Sequence, residues 1–162
     1  MREDVVTPAT ARRLAAEGLT WSPMVGDWCT VLGAEHVAEV QVGLWLVVSV
    51  LPSPGMLGVV DAGGQWPVTQ IAQRDCVWLP NAGKLKMWLR AQGYQVTTGE
   101  KMSPTFGSAG IRLRHVCRAT RPGQPHPVDG DGISEPEAIA SVVLRILGAG
   151  SSASRSLDWP AT

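Results

Sequence analysis

His115 and Cys117, two positions apart, are the residues in this chain whose types and spacing could do chemistry most directly. On a β-strand both side chains would lie on one face, where they could bind a metal ion or act as a nucleophile and its base. Cys29 and His36 are the remote residues that could complete such a site. A zinc site usually shows paired ligands in two places, and here a close pair occurs once. The sequence therefore favours a core histidine and a buried thiol, and keeps His115 and Cys117 as alternative metal ligands.

Motifs of the common catalytic classes do not occur in the sequence. We find no nucleophile elbow, phosphate-binding loop, dinucleotide fingerprint or zinc-protease motif. The stretch Asp129-Gly130-Asp131-Gly132 is similar to part of a calcium loop, but Ala138 stands where a bidentate glutamate is needed. We interpret this acidic stretch as the turn before the last helix. No cofactor is expected, no catalytic residue is assigned, and a non-enzymatic protein is favoured.

Three arginines alternate with His115 and Cys117 along the same predicted strand. Alternation places Arg112, Arg114 and Arg118 on the opposite face of that strand. Guanidinium groups in such a row could bind phosphates or an acidic partner, so these three arginines are the predicted binding residues. Acidic residues follow closely in the sequence, and surface pairs between the arginines and these carboxylates are the favoured interpretation of the row.

Composition indicates one folded domain. The chain has 162 residues, of which 44% are hydrophobic and 17% charged, a balance too apolar for a disordered chain. Fourteen basic and fourteen acidic residues cancel, so no global field attracts nucleic acid or an anionic membrane. Three widely spaced cysteines indicate reduced thiols in the cytoplasm. The longest apolar run, residues 42–51, is too short for a membrane helix.

Helix signals occur at three places in the sequence. Thr7 and Pro8 begin a short N-terminal helix over residues 8–17. Asn81 caps a second helix over residues 81–92, whose apolar stripe is formed by Leu85, Trp88 and Leu89. A third helix is predicted over residues 135–147, with Ser134 and Glu137 as a capping box and Gly148 as its end. We expect the apolar stripes of the second and third helices to meet each other or a shared sheet.

Strand signals fill most of the remaining chain. β-branched and aromatic residues with alternating polarity predict strands that pair mostly antiparallel. Ile111 and Leu113 are expected to share a core-facing side with Cys117. Proline and glycine predict loops over residues 99–110 and 121–132. The strands are predicted at residues 28–32, 37–51, 56–60, 76–79, 94–98 and 111–120, with an edge strand at 66–68.

These elements predict an α+β fold in which a mostly antiparallel sheet packs against two main helices and a short N-terminal helix. The domain is expected to span residues 1–148. The serine-rich residues 149–162 are predicted to be a disordered tail.

Three short motifs resemble a loose group of small uncharacterised bacteriophage and prophage proteins. The first is Trp21-Ser22-Pro23-Met24-Val25-Gly26-Asp27-Trp28. The second is the Trp78-Leu79-Pro80 turn into a helix that ends at Gly93-Tyr94, and the third is the helix start Ser134-Glu135-Pro136-Glu137-Ala138. The resemblance implies a compact α+β domain encoded by accessory genes, and it supplies no catalytic residue.

Together these features predict a cytoplasmic accessory protein that binds a macromolecular partner through a sheet or helix face. The expected partner is another protein or a second copy of the chain, and no membrane is expected. Two alternatives remain from the sequence: a metal-binding or Cys/His enzyme that uses His115 and Cys117, and a nucleic-acid binder that uses Arg112, Arg114 and Arg118.

Overall fold

Three helices and two antiparallel β-sheets make up the described part of the chain. The computed structural model describes residues 4–31, 44–53, 55–62, 68–104 and 111–155. The predicted α+β class, the antiparallel pairing and the three helices are confirmed. The strands divide between two sheets, where the sequence predicted one. His36, the first part of the predicted strand at 37–51 and residues 66–67 lie outside the described residues.

The first sheet has five strands in the order β4-β3-β2-β1-β5, so β4 and β5 lie at its edges. All neighbouring pairs are antiparallel. A 3-10 turn at Gln73–Asp75 leads from β4 into β5. The strands are β1 at Trp28–Val31, β2 at Leu44–Val50, β3 at Met56–Asp61, β4 at Thr69–Ala72 and β5 at Cys76–Leu79.

The second sheet has three strands, β6 (Gln95–Pro104), β7 (Ile111–Thr120) and β8 (Val128–Gly132), in that order. Two loop predictions are wrong here. Strand β6 continues beyond residue 98 to Pro104, because every one of its residues pairs with β7. Strand β8 lies inside the predicted loop at 121–132, because β7 offers it a free edge from His115 to Ala119.

The helices are α1 (Pro8–Ala16), α2 (Ala82–Ala91) and α3 (Glu135–Arg155). The predicted caps of the first two are confirmed, since the Thr7 hydroxyl accepts from the Thr10 amide and the Asn81 side chain accepts from the Lys84 amide. Helix α3 does not end at Gly148 but continues to Arg155. The tail was predicted at residues 149–162; residues 149–155 are helical instead, and residues 156–162 fall outside the described residues.

Glu137 connects the first turns of α1 and α3. Its carboxylate accepts hydrogen bonds from the Thr7 amide at 2.6 Å and from the Thr10 hydroxyl at 2.7 Å. Both oxygens of Glu137 therefore bond to the start of α1, and among the described residues they form no capping-box bond to Ser134. The negative charge also lies at the positive N-terminal end of α1, where a carboxylate is favourable.

The main core lies between the helices and the strands of both sheets. Leu85 and Leu89 of α2 are fully buried, as are Ile139, Val142 and Val143 of α3, and all five belong to one cluster. Strands β5 and β7 add residues to the same cluster. The predicted meeting of the α2 and α3 stripes is confirmed, and this helix layer holds the two sheets together.

Candidate functional site

Two of the three predicted binding arginines pair with carboxylates of β8. Arg118 donates from Nε and Nη2 to the two oxygens of Asp129, at 2.7 and 3.0 Å. The Arg114 Nη2 atom lies 2.7 Å from an oxygen of Asp131. The hydrogen bonds from Arg118 hold the pKa of the Asp129 carboxyl below its usual range. The favoured interpretation of the row, pairing with nearby carboxylates, is what the structure contains at these two positions.

The strand that carries these carboxylates was not predicted from the sequence. Arg118 lies directly opposite Asp129, and Val116 lies opposite Asp131. Side chains directly opposite on adjacent strands share a face, so the arginines and the aspartates meet there. Alternating charges, aspartate at 129 and 131 against arginine at 114 and 118, were the available signal for this pairing.

His115 and Cys117 share one strand face as predicted, but the structure does not build a metal site around them. Among the described residues no group of three or more His, Cys, Asp and Glu side chains could hold a metal ion. The His115 Nδ1 atom lies 3.8 Å from an oxygen of Glu100. Cys29 packs in a different hydrophobic cluster from Cys117. Of the two remote partners that the metal hypothesis named, Cys29 is therefore not brought to this site, and His36 lies outside the described residues.

Cys117 has the environment of a structural thiol. Cys117 is 2% exposed, and burial raises the pKa of its thiol to about 11. A catalytic cysteine has a lowered pKa and an adjacent base. The neighbouring polar groups are engaged elsewhere, since Glu135 accepts from Lys86 at 2.6 Å and from the Thr98 hydroxyl at 2.9 Å. The arrangement does not support the Cys/His enzyme.

Cys29 and Cys76 are brought together in the first sheet, which the sequence could not indicate because it requires the pairing of β1 with β5. The interaction between their thiols lowers the pKa of Cys76 and raises that of Cys29. The Cys76 thiol also donates to the Ala72 carbonyl at 3.4 Å. All three cysteines are free.

We predict that iodoacetamide at pH 8 alkylates Cys76 faster than Cys117 in the folded protein. With a pKa of about 11, roughly one Cys117 thiol in a thousand is ionised at this pH. Cys76 has the lowered pKa and borders a surface cavity. Mass spectrometry of peptides after timed quenching measures both rates, and the urea-unfolded protein is the control in which both cysteines react alike. Equal rates in the folded protein would contradict the assignment of Cys117 as a structural thiol.

The outer half of the β6–β7 hairpin extends beyond the rest of the second sheet. Pairing between β7 and β8 begins at His115, so the residues before it pair with β6 alone. We call residues 101–104 and 111–114 the hairpin arm. Ile111 and Leu113 were expected in the core but are 69% and 51% exposed, and Met102 on the same face is 68% exposed. The alternation was correct, but the core covers this face only at Cys117 and Ala119.

The opposite face of the hairpin arm is basic. Lys101 lies directly opposite Arg114, and Arg112 lies opposite Ser103. Like charges directly opposite each other destabilise a strand pair. Asp131 neutralises the positive charge of Arg114 alone. The arm itself contains no acidic residue. The arm therefore presents an apolar strip on one side and uncompensated positive charge on the other.

No helix within the described residues is long and apolar enough to cross a membrane.

No protein-family model, no curated protein sequence and no solved structure matches the chain. The resemblance to bacteriophage and prophage proteins therefore stays a hypothesis that is based on the three motifs quoted above.

Proposed function

We propose that the chain is a non-enzymatic interaction protein that binds another protein through the hairpin arm. The observation that carries this proposal is the exposed apolar strip of Met102, Ile111 and Leu113. Contiguous exposed apolar side chains on a folded protein are typical of interaction sites. An accessory protein of this kind is also what the resemblance to phage and prophage proteins implies.

The apolar strip would supply the centre of the interface. Fully burying a side chain of the size of Met, Ile or Leu contributes roughly 1.5 to 3 kcal/mol. Three such residues on adjacent strands resemble the small apolar centre from which interfaces gain most of their binding energy. The partner surface should therefore contain an apolar groove that is wide enough for a two-stranded ribbon.

The basic side of the arm selects an acidic partner. Lys101 and Arg112 are exposed, and neither has an ion pair among the described residues. Carboxylates beside the groove would relieve the repulsion between Lys101 and Arg114. Opposite charges across an interface also accelerate association and make it sensitive to salt. Nucleic acid is less favoured as the partner, because Arg114 and Arg118 are already paired with aspartates.

Site-specific photocrosslinking tests the proposal. We expect benzoylphenylalanine at position 102 or 113 to crosslink one protein in cells that contain the partner. The control is position 87, because Met87 on α2 is 63% exposed and as apolar as Met102. The crosslinked protein is then identified by mass spectrometry and purified, and its affinity for the wild-type chain is measured.

The affinity of that purified partner decides the outcome. Leu113→Glu and Arg112→Glu should each weaken binding at least tenfold, while Met87→Glu should leave it unchanged. Raising the salt concentration should weaken the wild-type complex. Equal crosslinking at position 87, crosslinking to nucleic acid or to a second copy of the chain, or full affinity of the Leu113→Glu variant would each overturn the proposal.

A further inference from the structure

Strand β5 has one open edge in the first sheet. The Val47 amide donates to the Asp27 carbonyl, so Trp28, the next residue, directs its backbone groups to the other side, towards β5. Trp28 lies opposite Leu79, and Leu79 and Val77 therefore bond to β1. Their neighbours in β5 alternate with them, so the N–H and C=O groups of Trp78 point away from β1.

Within the described residues, this edge is closed at one end only. The Val6 amide donates to the Pro80 carbonyl at 3.1 Å, and Val5 forms a single antiparallel bridge with Asn81. The chain then turns into α1, which begins at Pro8. Across the outer edge, no hydrogen bond from the backbone of Trp78 is found in the described part of the chain. An edge with unpaired backbone groups is a template for another strand.

A cavity of about 640 Å³ lies along this open edge. This volume is within the range of sites that bind peptides or small molecules. One wall is α1, and another is the pair of Trp21 and Trp78, whose rings are parallel to within 2°. Arg74 is the one charged residue among the described residues that line it, and its side chain is 88% exposed. Its Nε atom lies 3.8 Å from an oxygen of the exposed Asp75, a surface pair that contributes little and leaves the guanidinium open to a second carboxylate. The walls of the cavity include Leu14, Ala15, Leu19, Trp21, Arg74 and Trp78.

We propose that this cavity is a docking groove for an extended peptide segment of a partner protein. The segment adds to β5 as a short strand, and its backbone bonds to the free N–H and C=O groups of Trp78. Its alternate apolar side chain fills the space between α1 and Trp21, and an acidic group pairs with Arg74. The groove lies on the first sheet, whereas the hairpin arm belongs to the second, so this inference does not depend on the proposed function.

Backbone and charge complementarity together favour a peptide over a small apolar ligand. A ligand without amide groups would leave the Trp78 N–H and C=O groups without partners once water is excluded, which is unfavourable for each group. A basic or neutral segment would gain nothing from Arg74. The preferred occupant is therefore an extended segment with an apolar residue and an acidic residue.

A displayed library of random heptapeptides provides the probe. After selection on the wild-type protein, the most enriched peptide is synthesised and its affinity is measured by calorimetry. We expect enriched peptides to contain an acidic residue and an apolar residue. Ala15→Arg should weaken binding at least tenfold, because it fills the groove from the exposed surface of α1.

Three controls test whether the peptide occupies the groove and pairs with β5. Ala16→Arg changes the adjacent exposed residue, which does not line the groove, and should bind like the wild type. Arg74→Glu should weaken the binding of acidic peptides at least threefold. Amide exchange at Trp78 should slow when the peptide binds, and N-methylation of the peptide should abolish that effect. The proposal is overturned if no peptide is enriched above background, if Ala15→Arg binds normally, or if N-methylated peptides bind as well as the parent.

Discussion

Gly132→Ala is expected to lower the free energy of unfolding by about 3 kcal/mol. A Cβ atom at this position would lie 2.5 Å from the Ala138 nitrogen and 2.7 Å from the Glu137 carbonyl carbon. Both contacts are to the backbone of α3, so no side-chain rotation can relieve them. The helix must move away from β8 or the strand must bend, and either change loosens the core beneath α3. Urea unfolding followed by far-UV circular dichroism measures the effect.

Gly99→Ala is the matched control for this prediction. Gly99 lies in β6 of the same sheet, and a Cβ atom there would meet the Val116 side chain at 3.8 Å, an ordinary contact. The substitution also reduces the entropy of the unfolded chain, so its stability should be unchanged or higher by up to about 1 kcal/mol. Similar losses in Gly99→Ala and Gly132→Ala would show that the strand glycines are not required for helix packing.

The same contacts explain why β8 could not be predicted from the sequence. Asp129-Gly130-Asp131-Gly132 has the composition of a turn, since glycine and aspartate are both poor strand formers. Gly130 would place a Cβ atom 2.7 Å from the Ala138 carbonyl oxygen, so this position also needs glycine because α3 lies so close. Packing against α3 therefore requires glycine at these positions, whereas the local sequence with its glycines predicts a loop.

The hairpin arm shows a different limit of the sequence. Alternation along β7 correctly placed Ile111, Leu113 and Cys117 on one face, because the side-chain period of a strand is fixed by covalent geometry. Whether that face is covered depends on how far β8 and the core extend along β7. Strand β8 pairs with β7 only from His115 onwards, and the core covers the face only from Cys117 onwards. No local pattern in residues 111–114 contains this information. The candidate interaction site was therefore hidden among residues predicted to be core.

Asp27 has a central part in the loop around Trp21. The Asp27 side chain is 4% exposed. Its Oδ2 atom accepts hydrogen bonds from the Trp21 indole at 3.0 Å and from the Met24 amide at 2.9 Å. Its Oδ1 atom lies 3.4 Å from the Lys84 ammonium of α2. One buried carboxylate therefore fixes the loop, holds Trp21 against Trp78 and connects both to α2.

Asp27→Ala should lower the free energy of unfolding by about 2 to 4 kcal/mol. The substitution leaves the Trp21 indole and the Met24 amide without their acceptor, and hydrogen bonds to a charged group contribute about 1.5 to 3 kcal/mol. It also removes the ion-pair partner of Lys84, whose side chain is 26% exposed, so part of that charge is still hydrated. Urea unfolding followed by tryptophan fluorescence measures both the stability and the environment of Trp21.

Two comparisons identify the source of this loss. Asp75→Ala removes a carboxylate that is 59% exposed and 3.8 Å from Arg74, and it should change stability by no more than about 0.5 kcal/mol. Asp27→Asn keeps one oxygen acceptor but loses the charge, so its loss should lie between those of the two alanine variants. A double-mutant cycle with Lys84→Met then separates the ion pair from the hydrogen bonds. If Asp27→Ala were no more destabilising than Asp75→Ala, the loop would hold its place by the packing of Trp21 on Trp78 alone, and the buried carboxylate would contribute nothing net.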